Sequence, residues 1–404
     1  MSSIKLKRFI DIYTGNSISD GDKDKYTIQN ENTIPYISTK DIEAGSNKVD
    51  YYNDMYIDIL KNPKFKIADK NSILLCIEGG SAGKKITQVN QRVCFVNKLC
   101  CFNPSKEYNK QFVYFYLQSD LFLSQFKLNV TGLIGGVSQS IIKEFNIPFY
   151  SIDLQEKIAN YLDNKTSKID QTIKDNKKEI ELLEEYKIQL ISKIIKEDEE
   201  NSNIIKLKFL GNLQNGISAG AEKFGTGNET FINYGDVYNN FEIPENPVGK
   251  IYLTDREKET YSLEKGDVLF TRTSETIEEV GMTSVCMKDY PNSAYSGFVI
   301  RFRPNTEKLL YEGYSKYYFK MREHRDYFAR EMNLVTRASL SQGLLNNLIV
   351  ILPDYNKQIE ISNILDKKLD LINKSIEHRQ QIIEKLQEYK KSLIYEVVTG
   401  KKEV

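Results

Sequence analysis

The sequence predicts mixed α/β (α+β) heads in tandem duplication, separated by two long helices that form an antiparallel coiled coil with pseudo-two-fold symmetry. Three observations predict it. The chain of 404 residues repeats itself once, at an offset of about 200. Each copy closes on a long stretch with apolar residues at heptad spacing. Ahead of each such stretch lie short β-rich runs and then an aromatic-rich helical run. Domains usually run to roughly 100–200 residues, so a chain of this length suits such a division.

The repeat is read from matched landmarks. Ile4-Lys5-Leu6-Lys7 recurs as Ile205-Lys206-Leu207-Lys208, and Gly15 falls opposite Gly216. Phe102-Asn103-Pro104-Ser105 recurs as Phe302-Arg303-Pro304-Asn305, and Ser138-Gln139 as Ser341-Gln342. The ends match best. Residues 155–197 align without a gap to 358–400, with 16 identities in 43 positions. Two helices rich in Leu, Ile, Glu and Lys share some identities by composition. The shared Asn160-Tyr161-Leu162-Asp163 and Asn363-Ile364-Leu365-Asp366 blocks favour duplication.

The elements follow in order. The heads span 1–150 and 201–353, and the helices 151–200 and 354–404. Strands are expected at Ile73 to Ile77, Arg92 to Val96, Val268 to Arg272 and Phe298 to Phe302. Helical stretches are expected at Gln111 to Phe126 and Tyr311 to Phe328. Each head closes on a strand with a proline, Asn146-Ile147-Pro148 and Ile349 to Pro353. Arg301 and Arg303 share a strand, and only one is expected to face a partner.

The long helices carry a seam. Its first copy includes Leu162, Ile169, Ile173, Ile180 and Leu183; its second includes Leu365, Ile372, Ile376, Ile383 and Leu386. Such a stripe is buried against another helix. Asn176 and Arg379 interrupt it at equivalent places, where a polar residue fixes register and partner at a cost in stability. A helix of this length extends about 65 Å and needs a partner in water. The simplest partner is the other copy, run antiparallel, with each head hanging from its own helix. Residues 151–200 carry 9 basic and 13 acidic groups, net −4, and 354–404 carry 10 and 9, net +1, which supports the pairing.

Composition excludes several chemistries. Lys plus Arg and Asp plus Glu number 56 each, so the chain is not a globally basic nucleic-acid coat, though a local basic face is compatible. The two histidines, His324 and His378, cannot build a multi-histidine metal site and are expected on the surface. Five cysteines without a CxxC are expected as buried, reduced thiols. No apolar run reaches the length of a membrane span and the start lacks a signal-peptide core, so a cytoplasmic location is expected. Gly79-Gly80-Ser81-Ala82-Gly83-Lys84-Lys85 fails the Walker pattern, having three residues between Gly79 and Gly83 and no Ser or Thr after Lys84. It reads either as a loop offering amides and lysines to a phosphate or as a glycine-rich turn. No Asn-Pro-Pro-aromatic motif of an adenine methyltransferase occurs, and Glu257, Glu259, Glu275, Glu278 and Glu279 read as a solvated face.

The duplicated head-plus-helix order, with Gln155-(x2)-Ile158-(x3)-Leu162-Asp163 and Gln358-(x2)-Ile361-(x3)-Leu365-Asp366 opening the helices, resembles the specificity subunit of type I restriction–modification systems. Lys70-Asn71-Ser72-Ile73-Leu74 and Lys265-Gly266-Asp267-Val268-Leu269 resemble the strand entry of that family's target recognition domains. Leu154 and Lys357 stand where the family often has Glu. The resemblance implies a chain that is itself non-catalytic and holds no cofactor. It would bind double-stranded DNA and two modification subunits, which hold S-adenosylmethionine. In the full complex two restriction subunits, which use ATP and Mg, would join.

On that reading each head meets one half of an interrupted, asymmetric target, and the helices set the gap at about a DNA turn, roughly 34–36 Å. Candidate DNA contacts are Lys84, Lys85, Arg92, Ser138 and Gln139 in the first head. In the second they are Arg272, Thr273, Ser274, Arg337, Ser341 and Gln342. Arginine suits guanine and glutamine suits adenine. A hydrogen bond within the loop is the alternative for Gln139 and Gln342. Tyr186, Leu190, Tyr389 and Leu393, on the distal turns, are the candidate methyltransferase contacts or else the end of the seam. Two alternatives stay open: a coiled-coil adaptor that binds only proteins, and a self-sufficient DNA endonuclease.

Overall fold

A computed structural model describes residues 2–132, 135–218, 220–274, 276, 279–331 and 338–404. The chain divides into two compact units, Met1–Asn176 with Gln381–Val404, and Lys177–Gln380. The same plan builds each. In the first, Ile10–Thr14, Leu99–Pro104, Ile73–Cys76 and Ile86–Gln88 form an antiparallel sheet in that order. In the second, Gly211–Asn215, Val299–Pro304, Val268–Thr271 and Thr283–Val285 repeat it. A further sheet in each head carries one parallel pairing, Tyr36 opposite Cys94 and Thr230 opposite Ser293.

Strands Ile73–Cys76 and Val268–Thr271 are buried along their whole length because both their faces are covered. Side chains alternate across a strand. Ile73 and Leu75 enter the core shared with the helices, while Leu74 and Cys76 enter the core under the other sheet. Val268 and Phe270 part from Leu269 in the same way. All five cysteines are buried free thiols. Gly15 and Gly216 mark an equally crowded place: a Cβ there would lie 1.8 Å from the Phe95 carbonyl oxygen and 2.1 Å from that of Ser296.

Each aromatic-rich run breaks into two helices, Lys110–Gln118 with Asp120–Leu128, and Glu312–Tyr318 with Arg322–Glu331. Ser119 ends the first helix and caps the second, its hydroxyl accepting from the Phe122 amide at 3.5 Å. Tyr116 donates to the Asn146 carbonyl at 2.9 Å and Tyr318 to that of Ile349 at 3.2 Å, each tying its helix to the closing strand. This alignment sets His324 on Phe122. Both rings meet the preceding tyrosine edge-on, Phe122 at 5.5 Å from Tyr116 and His324 at 4.7 Å from Tyr318. His324 is therefore buried, at 6% exposure, and not on the surface as expected. It fills an aromatic slot of the core.

The glutamines that open the long helices are latches. Gln155 is fully buried; its Oε1 accepts from the Asn109 amide at 2.9 Å and its Nε2 donates to the carbonyls of Glu107 and Tyr150 at 3.1 and 3.0 Å. Gln358 accepts from Tyr311 at 2.8 Å and donates to Leu309 and Pro353 at 3.2 and 2.9 Å. A buried amide with both N–H groups and its oxygen engaged fixes the angle at which the helix leaves the head.

The helices run Ile152–Lys196 and Tyr355–Val398. Within each unit they lie antiparallel. Lys390 pairs with both oxygens of Asp170 at 2.7 Å in the first, and Arg379 pairs with Glu179 in the second. Leu162, Ile169, Ile173, Leu365 and Ile376 are buried, while Ile180, Leu183, Ile372, Ile383 and Leu386 are half-buried. Asn176 donates back to Thr172 of its own helix at 2.8 Å.

One expectation needs correction. A head does not hang from its own helix alone. The first head's core takes in Ile158 and Leu162 together with Leu393, Ile394, Val397 and Val398, from the end of the other helix. The second takes in Leu190, Ile191, Ile194 and Ile195 with Ile361 and Leu365. Leu190 and Leu393 are therefore buried within their units. A heptad reading supplies one neighbour to each seam residue, and here the head is a second.

Candidate nucleic-acid interface

The candidate residues gather, in each head, where the central strand ends. Beyond Ile73–Cys76 the chain turns through 77–85 and meets the segment leading to Ser138. Val137 donates to the Ile77 carbonyl at 3.0 Å and Gly79 to that of Gly135 at 2.8 Å. Beyond Val268–Thr271 the same crossing recurs. Leu340 donates to Arg272 at 2.7 Å, and Thr273 and Ser274 pair with Ser339 and Ala338. The neighbouring loop closes the corner: Ile77 donates to Lys98 at 2.9 Å and Arg272 to Phe298 at 2.7 Å. One backbone frame thus presents Glu78 and Lys98 in the first head, with Ile77 buried in the core, and Arg272, Thr273 and Phe298 in the second.

The glycine-rich run is a folded turn. The amides of Ala82, Gly83, Lys84 and Lys85 donate to Gly79, Cys76 and Ser81 carbonyls, so they are not free for a phosphate. Gly83 and its counterpart Gly281 have φ of 73° and 74°, the left-handed region that favours glycine. Lys84 is exposed and reaches the Gly80 carbonyl at 3.3 Å; Lys85 donates to Thr39 at 2.7 Å. Ser138 and Ser341 cap the helices Gln139–Ile142 and Gln342–Asn346, accepting from Ile141 at 3.4 Å and Leu344 at 3.1 Å. The glutamines that follow differ. Gln342 donates to Asn215 at 3.0 Å, whereas the buried Gln139 Oε1 has no hydrogen-bond partner among the described residues. Ser274 bonds the Glu279 carboxylate, and Thr271 donates to the Glu279 carbonyl at 2.9 Å, which braces the second head's loop.

Some candidates lie elsewhere. Arg92 is exposed beside Asp69, at 3.3 Å, at the opposite end of strand Ile73–Cys76 from the loops. Arg337 falls outside the described residues, as do Glu275 and Glu278. Arg301 and Arg303 correct the strand argument: residues two apart share a face. Both turn into the head and donate to the Ser262 carbonyl, and Arg303 also pairs with Asp267 and Glu264 at 2.6 Å. Tyr186 and Tyr389 are each half-exposed on the long helices.

The sequence reading missed Phe298 and Lys98. Phe298 is 56% exposed, an aromatic ring beside the Arg272 backbone. Their signal was available: both sit four residues before the matched Phe102 and Phe302. Among the described residues no group of three or more His, Cys, Asp or Glu is arranged to hold a metal, and no helix is long and apolar enough to cross a membrane.

Comparison with known proteins agrees with this plan. The type I restriction enzyme EcoKI specificity subunit of Escherichia coli (strain K12) is 22% identical over 351 residues, covering 81% of this chain and 74% of that protein. Two solved structures share the fold. A chain from a study of complex assembly and conformational transition of the type I R-M system gives a TM-score of 0.74 at 13% identity, covering 98% of this chain and 97% of that one. The HsdS subunit from Thermoanaerobacter tengcongensis gives 0.54 at 14% identity, covering 99% and 96%. The family model for the type I restriction modification DNA specificity domain matches residues 3–182 and 199–388, once on each head with most of a long helix. The chain belongs to the type I restriction–modification specificity subunit family.

Proposed function

We propose that each head reads one half of an interrupted, asymmetric DNA target with the paired loops at the end of its central strand. The observation that carries this is the contrast at that corner. The backbone crossing is the same in both heads, while the side chains it presents are Glu78 and Lys98 in one and Arg272, Thr273 and Phe298 in the other; Ile77, at the place of Arg272, is turned into the core. A shared frame with unlike chemistry suits two unlike half-sites. Lysines on the rim, Lys84 and Lys98, would meet phosphates and set register, while Arg272 would address a base edge. Phe298 would pack on a thymine methyl or a sugar.

The long helices would set the gap between half-sites and dock two modification subunits through exposed positions such as Tyr186 and Tyr389. Those subunits would hold S-adenosylmethionine and perform the adenine-N6 transfer. Restriction subunits, where present, would bring ATP and Mg. This chain would contribute binding and orientation and no bond-making step.

The test is co-expression with a methyltransferase subunit of this family, followed by genome-wide mapping of methylated adenines. The expected result is a two-part motif whose gap lengthens when one helical turn is inserted into each long helix. A contiguous motif, or methylation without this chain, would refute the proposal. Affinity of the assembled complex should also fall steeply with salt through counterion release. A flat response would remove the phosphate contacts.

A further inference from the structure

Both units hold a cavity where a head meets the end of a long helix, about 480 Å³ in the first and 520 Å³ in the second. The places are equivalent. The alignment that sets Tyr116 on Tyr318 puts Gln118 on Lys320 and Leu123 on Arg325, and the helix alignment puts Lys390 on Lys187. Each of these residues lines its cavity.

The chemistry differs. In the first cavity the Lys390 ammonium is held by both oxygens of Asp170. In the second, Lys187 is paired with Glu184 at 2.9 Å and Arg322 lies 3.9 Å from Asp326. Glu185, also on the lining, accepts from Gln189 at 3.3 Å. Among the described residues Lys320 has no carboxylate within ion-pair distance. Its ammonium donates to the Asn240 carbonyl at 2.9 Å and lies 4.3 Å from the Phe241 ring centre. Burial, with Arg325 and Lys187 nearby, pushes its pKa down to about 8. The other walls are apolar, from Ile188, Ile191, Met282 and Phe319.

A half-buried cation without an anion is unfavourable, and the first head folds on the same frame with Gln and Leu at the two positions. Lys320 and Arg325 are therefore not a requirement of the frame. The volume is that of a small-molecule site. We propose that this cavity binds a small organic anion, a carboxylate or phosphate on an apolar body, with the Lys320 ammonium as its ion-pair partner and Arg325 beside it.

The test uses the full chain and the dye 8-anilinonaphthalene-1-sulfonate, an anion on an apolar body. Saturable dye emission is expected. The double variant Lys320→Gln with Arg325→Leu, which installs the first head's residues, should weaken binding by roughly tenfold or more without lowering the unfolding midpoint. Octanoate and octyl phosphate should displace the dye from the unmodified chain, the more effective one identifying the headgroup, while octanol should not. Dye binding that ignores the two substitutions, or that octanol abolishes equally well, overturns the proposal. Displacement by a methyltransferase subunit but by neither small anion also overturns it, because the cavity is then a protein contact. Should the variant unfold, the competition on the unmodified chain decides alone.

Discussion

Replacing His324 by Phe should make the second head less sensitive to acid. His324 occupies the slot that Phe122 fills in the first head, and its Nε2 is buried with no hydrogen-bond partner among the described residues. Burial holds its pKa down to about 4, and the Glu323 carboxylate and the Tyr318 backbone oxygen offset this only in part. An unfolded histidine titrates near 6.5. The unfolded chain thus takes the proton first. Stability is full above about pH 6.5 and is lost as pH falls toward 4, by about 2 kcal/mol at pH 5 and about 3 kcal/mol below pH 4. Phenylalanine has no proton to take. At pH 8 it should match the native chain within about 1 kcal/mol, exchanging a partnerless nitrogen for a Tyr318 carbonyl that loses a donor. At pH 5 the variant should be more stable by about 2 kcal/mol. The assay is urea unfolding of the full chain at both values. An imidazole NMR titration accompanies it, and the chain's two histidines make that spectrum simple. A His324 signal titrating near 6.5, or a stability difference that does not change with pH, would refute the reasoning.

Other expectations are more direct. Gln358→Leu removes the three hydrogen bonds of the latch and leaves the Tyr311 amide without its acceptor; urea unfolding should show a loss of about 2–4 kcal/mol, and a loss below about 0.5 would deny the latch. Gly216→Ala drives a Cβ to within 2.1 Å of the Ser296 oxygen and should cost more than about 2 kcal/mol, while Gly21→Ala, with open space around it, should change stability little. A thermal melt that ranks them the other way would mean the strand shifts freely. Arg272→Ala and Phe298→Ala should each relax methylation at one half-site, by about 1–3 kcal/mol of discrimination, and leave the other intact. Uniform loss on all sequences would make those residues supports of the fold.

The duplication and the long helices were legible because both are periodic signals carried by many residues. The loops were legible as positions: Ser138 and Ser341 do mark the same corner, although their hydroxyls cap helices there. What the sequence hid was context. Arg322-Glu323-His324-Arg325-Asp326 reads as a polar surface run, and only the repeat, laid against Asp120-Leu121-Phe122-Leu123-Ser124, shows that its middle residue is core. Leu190 and Leu393 look free at the end of a heptad seam because the pattern records one partner and is silent about a head packing from the side. Arg301 and Arg303 were misplaced by an error of parity that the pleat itself corrects. Arg303 joins Asp267, a motif residue, in a pair that holds the strand entry.

The return of Leu393, Ile394, Val397 and Val398 to the core around Phe112 and Tyr116 has a consequence for biosynthesis. On the ribosome the opening domain emerges early, yet a wall of its interior is translated hundreds of codons later. Until that wall arrives, apolar side chains of Phe112 and its neighbours stand open to water and to chaperones. Translation order and folding order are therefore uncoupled: the part made first is the part finished last.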